Sequence, residues 1–240
     1  MVPLHDNNPT KIKPWVNYGL IAINILVFIY ALTLSPEQLQ GFFQTFAIVP
    51  SQLTASFQSG NVAAIAGQSL TLITSQFLHG GFLHLGGNML FLWVFGNNIE
   101  EKLGRVSFLF FYLTCGALAG LAQWALSMQS DIPMVGASGA IAGVLGAYIL
   151  RFPKARILTL IPLGIFITTF RIPAIFFLGF WFFQQTLYGF ASLQATTSID
   201  SGGVAYWAHA GGFVVGLVLA PVLGLFRSSS PGPGRGRLRS

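Results

Sequence analysis

Charged residues are scarce in this chain. Lys, Arg, Asp and Glu make up 8% of its 240 residues, whereas 53% are hydrophobic and the mean hydropathy is +0.69. A typical soluble domain has about 25% charged residues. The composition therefore excludes an ordinary water-soluble domain and predicts a polytopic membrane protein.

Cysteine is nearly absent as well. The single one, Cys115, lies inside an apolar run, so the chain cannot form an internal disulfide, and we expect Cys115 to be a core residue. The sequence also lacks a His-Glu-x-x-His motif. We therefore expect no metal centre and no cofactor.

Six apolar runs have the character of membrane helices. At about 1.5 Å per residue, a helix of about 20 residues crosses a hydrocarbon core of roughly 30 Å. The sequence predicts an all-α fold, a bundle of six transmembrane helices over residues 16–34, 82–99, 106–128, 138–152, 172–190 and 204–226. The interiors of these runs contain no Asp, Glu, Lys or Arg, which disfavours a proton pump or an ion-coupled transporter.

The remaining segments flank or connect the spans of the membrane domain, which covers residues 16–226. Residues 1–15 form a short polar lead, and residues 227–240 form a basic tail, rich in Ser, Pro and Gly, that we expect to be disordered. The amphipathic segment 35–78 is typical of an interfacial loop. Residues 157–170 are apolar but are interrupted by a proline and a glycine, which predicts a re-entrant or interfacial hairpin.

The distribution of charge predicts the orientation. With six spans, both termini and the loops after the second and fourth spans lie on one side of the membrane, and all 12 basic residues fall on that side. The opposite loops contain Glu37, Asp131 and Asp200 but no Lys or Arg. By the positive-inside rule, both termini are cytoplasmic. Because the basic residues flank spans and do not form one patch, we expect no nucleic-acid partner.

Four polar side chains stand out within the spans. Ser138 begins the fourth span among glycines and alanines, His84 and Asn88 share one face of the second span, and His209 lies in the sixth. Measured at about 1.5 Å per residue from the cytoplasmic ends, all four lie in the outward half of the bilayer. The fourth span is short, so we expect a water-filled cavity, open to the outside, around Ser138.

These residue types at a common depth indicate a serine hydrolase. A neutral His209 can take the proton of Ser138, whose oxygen attacks a carbonyl, while His84, Asn88 and the Ser138 backbone N–H stabilise the oxyanion. No span interior has an Asp or Glu to orient the histidine, which predicts a Ser-His dyad. The alternative is structural: Ser138 would bond its own helix, and His84 and Asn88 would only cross-link helices.

Three short motifs contain these residues, and they lie within the part of the chain from about His79 to Gly216. Gly-x-Ser-Gly occupies 136–139, His-x-x-x-Asn occupies 84–88, and Ala-His-x-x-Gly-x-x-x-Gly occupies 208–216. On these spans and in this order, they resemble the motifs of the rhomboid family of intramembrane serine proteases.

The resemblance implies a six-helix core and a catalytic dyad of Ser138 and His209. It also implies an oxyanion site that includes His84 and Asn88, and cleavage of transmembrane protein substrates in or near their spans. Similarity to the six-span, bacterial-type members implies a multi-pass protein of the bacterial inner membrane, with lipid as its surroundings.

One of two departures from the pattern of the family concerns the catalytic histidine; the other is the absence of a Trp-Arg pair, which many members have, from the first outward loop. Some members have a tyrosine one turn after the nucleophile that stacks on the catalytic histidine, and here that position is Ala142. We therefore expect another side chain to hold His209, with Tyr148, Tyr206 and Trp207 as the candidates.

Two other function classes stay open. One is a catalytically silent rhomboid-like protein that binds membrane helices, which the intact Ser138 and His209 argue against. The other is a channel or transporter that uses the polar cavity, which the lack of charged or repeated broken helices disfavours. Aspartyl intramembrane proteases are excluded because no span contains an aspartate.

Overall fold

The computed structural model describes residues 1–163, 166–194 and 205–227, and this part of the chain is mostly helical. Its helices are α1 (Trp15–Ala31), α2 (Pro36–Phe46), α3 (Pro50–Ser59), α4 (Val62–Thr74), α5 (Phe82–Phe91), α6 (Asn97–Leu103), α7 (Arg105–Leu126), α8 (Ser138–Arg151), α9 (Ala174–Gln194) and α10 (Tyr206–Val222). Its strands are β1 (Val2–Asp6), β2 (Arg156–Leu163) and β3 (Phe166–Pro173).

Each predicted span coincides with a helix, but the helices differ in length. α7 and α9 are long and apolar enough to cross a membrane, whereas α1, α8 and α10 are apolar but shorter. α5 continues into α6 through one π-helical turn, Leu92–Gly96. α8 has 14 residues, and at about 1.5 Å per residue it covers only about 21 Å of a core of roughly 30 Å. By length and composition alone, two of the described helices are thus candidates to cross a membrane.

α8 forms the centre of the core. Every residue from Gly139 to Tyr148 is buried, and the helix packs mainly against α7 and α10. Glycines permit the close approach of α10: a Cβ atom at Gly212 or Gly216 would collide with the carbonyl oxygen of Gly139 or Gly143, respectively. Such small residues let two helix backbones approach closely and gain van der Waals contact.

Polar side chains of neighbouring helices bind the first N–H groups of α1 and α10. The fully buried Glu100 of α6 accepts hydrogen bonds from the backbone N–H groups of Val16 and Asn17, at 3.2 and 2.7 Å. The side-chain oxygen of Gln123 in α7 accepts from two backbone N–H groups at the start of α10, at 3.1 and 3.3 Å. The first N–H groups of a helix have no partner within it, so these contacts anchor both helix starts to the core.

The all-α expectation omitted a sheet. The three strands form an antiparallel sheet in the order β1-β2-β3. The apolar segment 157–170, expected as a hairpin, is largely made of β2 and β3, which pair as a β-hairpin. The polar lead supplies β1, and the Tyr148 hydroxyl of α8 donates a hydrogen bond to Asp6 at the end of this strand. Local sequence could not reveal β1, because its partner strand lies far away in the chain.

Two other predicted segments have different outcomes. The segment 35–78, expected as an interfacial loop, contains the three helices α2 to α4. α2 begins with a capping box in which the side chains of Ser35 and Gln38 each accept a hydrogen bond from the backbone of the other residue. The predicted disordered tail, 227–240, lies outside the described residues beyond Arg227.

Replacing Gly216 by alanine should separate α10 from α8, because the new Cβ atom would collide with the Gly143 carbonyl. Overpacking typically costs about 1–3 kcal/mol, so we expect a lower thermal unfolding midpoint for the purified protein in detergent. Gly19→Ala in α1 is the matched control, since a Cβ there meets nothing within 4 Å. A midpoint for Gly216→Ala equal to that of Gly19→Ala would contradict this account of the packing.

Candidate active site

Ser138 follows a turn that requires glycine. Gly136 has a φ of 124°, a conformation that L side chains rarely adopt, and its N–H donates to the Ser75 carbonyl at 3.0 Å. A Cβ atom at Gly136 would also lie 2.7 Å from Nε2 of His84. The turn leads directly into α8, so the N–H of Ser138 lies at a helix N-terminus and has no partner within the helix.

His209 lies in the first turn of α10 and contacts Ser138 directly. Its Nε2 atom is 2.7 Å from Oγ of Ser138, and both side chains are partly buried. This distance is within hydrogen-bond reach, as a general base and its nucleophile require. The structure thus brings together the two residues that the sequence analysis paired.

The other ring nitrogen of His209 is also bound. Its Nδ1 atom lies 2.7 Å from Oε1 of the buried Gln185 in α9. Because an amide oxygen can only accept, Nδ1 is the donor and the lone pair of Nε2 is left for the Ser138 hydroxyl. Trp181 lies one turn earlier in α9, and the centroid of its ring is 5.9 Å from that of the imidazole, at an interplanar angle of 33°.

None of the three expected side chains holds His209. Tyr148 donates its hydroxyl to Asp6, near the other end of α8. The rings of Tyr206 and Trp207 pack against aromatic side chains of α9. That expectation was wrong because the direction of a side chain depends on the rotation of its helix, which closeness in sequence does not set.

His84 and Asn88 lie on the other side of the Gly136 turn. Asn88 is buried, and its Nδ2 atom is 2.9 Å from Nε2 of His79. The His79 ring also packs edge-on against that of His84, with centroids 5.0 Å apart. An amide NH₂ has two hydrogens, so Asn88 can donate one to His79 and keep the other for a ligand. His79 therefore orients Asn88.

Ser138, His209, His84 and Asn88 all line one open cavity of ≈ 830 Å³. The remaining wall comes from residues 80–83 at the start of α5, from the loop before α8 and from Ala205 before α10. A cavity of this size can admit water and an extended peptide segment to the serine hydroxyl. The four predicted site residues therefore face a common space.

A much smaller pocket, of ≈ 30 Å³, adjoins Ser138. Small residues form much of its wall: the four glycines Gly116, Gly120, Gly136 and Gly139, and the three alanines Ala119, Ala205 and Ala208. A cavity needs roughly 10–15 Å³ of such volume to hold one water molecule, so the pocket has room for a methyl-sized group but not for an aromatic ring.

The sequence analysis assigns no role to Gln185. A signal was present in the sequence. Gln184 and Gln185 are adjacent amides within an otherwise apolar run, and Gln185 follows Trp181 by one helical turn. The pattern alone could not show which of the two amides faces the histidine.

The family model described as the Rhomboid domain matches residues 66–226, about two thirds of the chain. The chain belongs to the rhomboid family. The matched range contains α5 to α10 and therefore all four site residues. Rhomboids are membrane-embedded, in agreement with the hydrophobic composition of this chain.

Several curated rhomboid relatives are similar to this chain. Rhomboid protein 1, mitochondrial, of Saccharomyces cerevisiae is 31% identical over 84% of this chain and 51% of its own length. Rhomboid protease GluP of Bacillus subtilis is 32% identical over 92% of this chain and 37% of its own length. Rhomboid-like protein 11, chloroplastic, of Arabidopsis thaliana is 32% identical over 66% of this chain and 54% of its own length. This rhomboid chain thus spans between 37% and 54% of the length of these relatives.

A fluorophosphonate probe, which reacts with activated serines, should label the protein at Ser138, because Nε2 of His209 can accept the hydroxyl proton. Ser138→Ala and His209→Ala should both lose the label, as measured by gel fluorescence and peptide mass spectrometry. Ser107→Ala in α7 serves as the control and should label like the wild type. Labelling that persists in Ser138→Ala would show that another residue is the reactive one.

Proposed function

We propose that this rhomboid is an intramembrane serine endopeptidase that cleaves transmembrane proteins in or near their spans. Ser138 is the nucleophile and His209 is the general base. The observation that supports this most strongly is the 2.7 Å contact between His209 Nε2 and Ser138 Oγ, which lies at an open cavity. The chemistry needs no cofactor.

The first half of the reaction forms an acyl-enzyme. His209 takes the proton of Ser138 as Oγ attacks the substrate carbonyl carbon. The oxygen of the tetrahedral intermediate accepts hydrogen bonds from the Ser138 N–H, the second hydrogen of Asn88 and the His84 ring. When the C–N bond breaks, His209 gives its proton to the leaving amine.

The second half consumes one water molecule. His209 takes a proton from the water, the hydroxide oxygen attacks the ester carbonyl, and the C–O bond to Ser138 breaks as His209 returns the proton to Oγ. The water enters through the ≈ 830 Å³ cavity. Because α8 has only 14 residues, its first residue lies below the outer surface of the bilayer, where substrate spans are also present.

The small pocket beside Ser138 favours particular substrates. An intact helix hides its carbonyl groups in hydrogen bonds to residues four positions later, so a span must unwind before Ser138 can attack it. Helix-breaking residues lower the cost of this unwinding. A pocket of ≈ 30 Å³ accepts alanine or glycine at the cut. The preferred substrates are therefore spans with small residues and helix breakers near the outward end.

The same proposal includes the topology. Six segments cross the membrane, formed by α1, by α5 with α6, and by α7, α8, α9 and α10. Both termini lie in the cytoplasm, and the cavity opens to the opposite side. The support is the position of all 12 basic residues on one side of such a bundle. The proposed location is the inner membrane of a bacterium.

Cleavage can be tested with the purified full chain in proteoliposomes and a panel of single-span substrates, with each cut mapped by mass spectrometry. We expect cuts beside small residues, and replacing the alanine or glycine at a cut by phenylalanine should abolish it because the small pocket cannot hold a ring. The Ser138→Ala protein is the control and should produce no cut. Substrate binding without any cut by the wild type would instead support a silent binder of membrane helices.

Asn88→Ala should slow cleavage without removing the nucleophile. Loss of one strong oxyanion donor typically lowers kcat by about 10²–10³, whereas the contact of His209 with Ser138 does not involve Asn88. We therefore expect slow cleavage with fluorophosphonate labelling retained. Asn97→Ala in α6, away from the cavity, is the control. Cleavage by Asn88→Ala at the wild-type rate would limit Asn88 to a structural hydrogen bond.

A further inference from the structure

We infer that Gln185 is a positioning residue for His209, so that the site works as a Ser-His-Gln arrangement and not as a dyad alone. This inference rests on the proposed function and extends it to a residue of α9. It depends on the 2.7 Å contact between Gln185 Oε1 and His209 Nδ1 and on the burial of Gln185, which is 9% exposed.

The two hydrogen bonds of His209 together fix the plane of its ring. Nδ1 contacts Gln185 and Nε2 contacts Ser138, each at 2.7 Å, from opposite edges of the imidazole. Rotation of the ring about its bond to Cβ would break both contacts. A ring held in this way keeps the base aligned with the serine hydroxyl, and such alignment supplies much of the rate of a positioned reaction.

Gln185 also selects the productive tautomer. Its amide oxygen accepts a hydrogen bond from Nδ1–H, which leaves Nε2 unprotonated and able to receive the proton of Ser138. When His209 has taken that proton, both ring nitrogens are donors, and the Gln185 oxygen still accepts from Nδ1. An aspartate has this orienting role in soluble serine proteases.

An amide suits this place better than a carboxylate. α9 is one of the two helices long and apolar enough to cross a membrane, and a charged side chain within such a helix is costly. Gln185 supplies an oxygen acceptor without a charge. Ala142, one turn after Ser138, has no side chain that could reach the imidazole, while Trp181 of α9 flanks the ring. α9 therefore provides the acceptor and part of the wall around His209.

Three variants test the inference. Gln185→Leu has a similar size but no acceptor, and Gln185→Glu retains an acceptor oxygen. Gln184→Leu is the matched control on the same helix, because the Gln184 side chain donates a hydrogen bond to Tyr188 and not to His209. We expect Gln185→Leu to lower kcat by about 10- to 100-fold with little change in KM, because a buried donor loses its partner at the reacting histidine. Gln185→Glu should recover part of the activity, because it keeps the acceptor oxygen although a charge in α9 is costly, and Gln184→Leu should match the wild type.

The rate of fluorophosphonate labelling at Ser138 gives a second readout. It should fall in Gln185→Leu and recover in Gln185→Glu, since labelling needs the same base but no substrate. Thermal midpoints of all variants show whether folding is intact. A Gln185→Leu protein with unchanged kcat and labelling rate would overturn the inference. So would equal losses in the Leu and Glu variants at unchanged thermal midpoints, because the acceptor oxygen would then make no difference.

The two proposals fail in distinguishable ways. If the wild type labels but cuts no substrate, the proteolytic function fails, and the labelling rates of the variants still test Gln185. If the wild type cuts and Gln185→Leu is unaffected, only the role of Gln185 fails. If the wild type neither labels nor cuts, both are overturned.

Discussion

The close contact between α8 and α10 is the constraint on which the candidate site depends. The backbones of the two helices meet where Gly212 and Gly216 face the carbonyl groups of Gly139 and Gly143. Ser138 directly precedes this contact on α8. Helices with ordinary side chains between them keep their axes about 8–10 Å apart. The absence of side chains at the crossing lets the two backbones approach closely, and Ser138 of one helix lies within hydrogen-bond distance of His209 of the other.

None of the described polar side chains around that contact has a permanent charge. Ser138, Asn88, Gln185 and the histidines provide hydrogen-bond donors and acceptors without an acidic or basic side chain of permanent charge. Surroundings of low polarity strengthen each such hydrogen bond but make an unpaired charge costly. The buried carboxylate of Glu100 lies elsewhere, in α6, where two N–H groups at the start of α1 bind it. Charge is thus kept away from the serine.

The short α8 links the fold to its chemistry. Its N-terminal end presents Ser138 to the open cavity, and its C-terminal part is held by the hydrogen bond between Tyr148 and Asp6 of β1. The sheet therefore anchors the end of α8 that lies away from the site. On the proposed function, a longer helix would raise the hydroxyl toward the outer surface of the bilayer, above the level at which substrate spans lie.

The sequence by itself determined the membrane class, the positions of the apolar helices and the four polar residues that line the cavity. Each of these follows from a local pattern: hydropathy over about 20 residues, motif spacing, or the scarcity of polar groups within a span. The side chains that bind the site residues became visible only in the tertiary structure. Gln185 binds His209, His79 binds Asn88, and β1 pairs with β2. These contacts join distant parts of the chain or depend on how one helix is rotated against another, and no local periodicity sets that rotation.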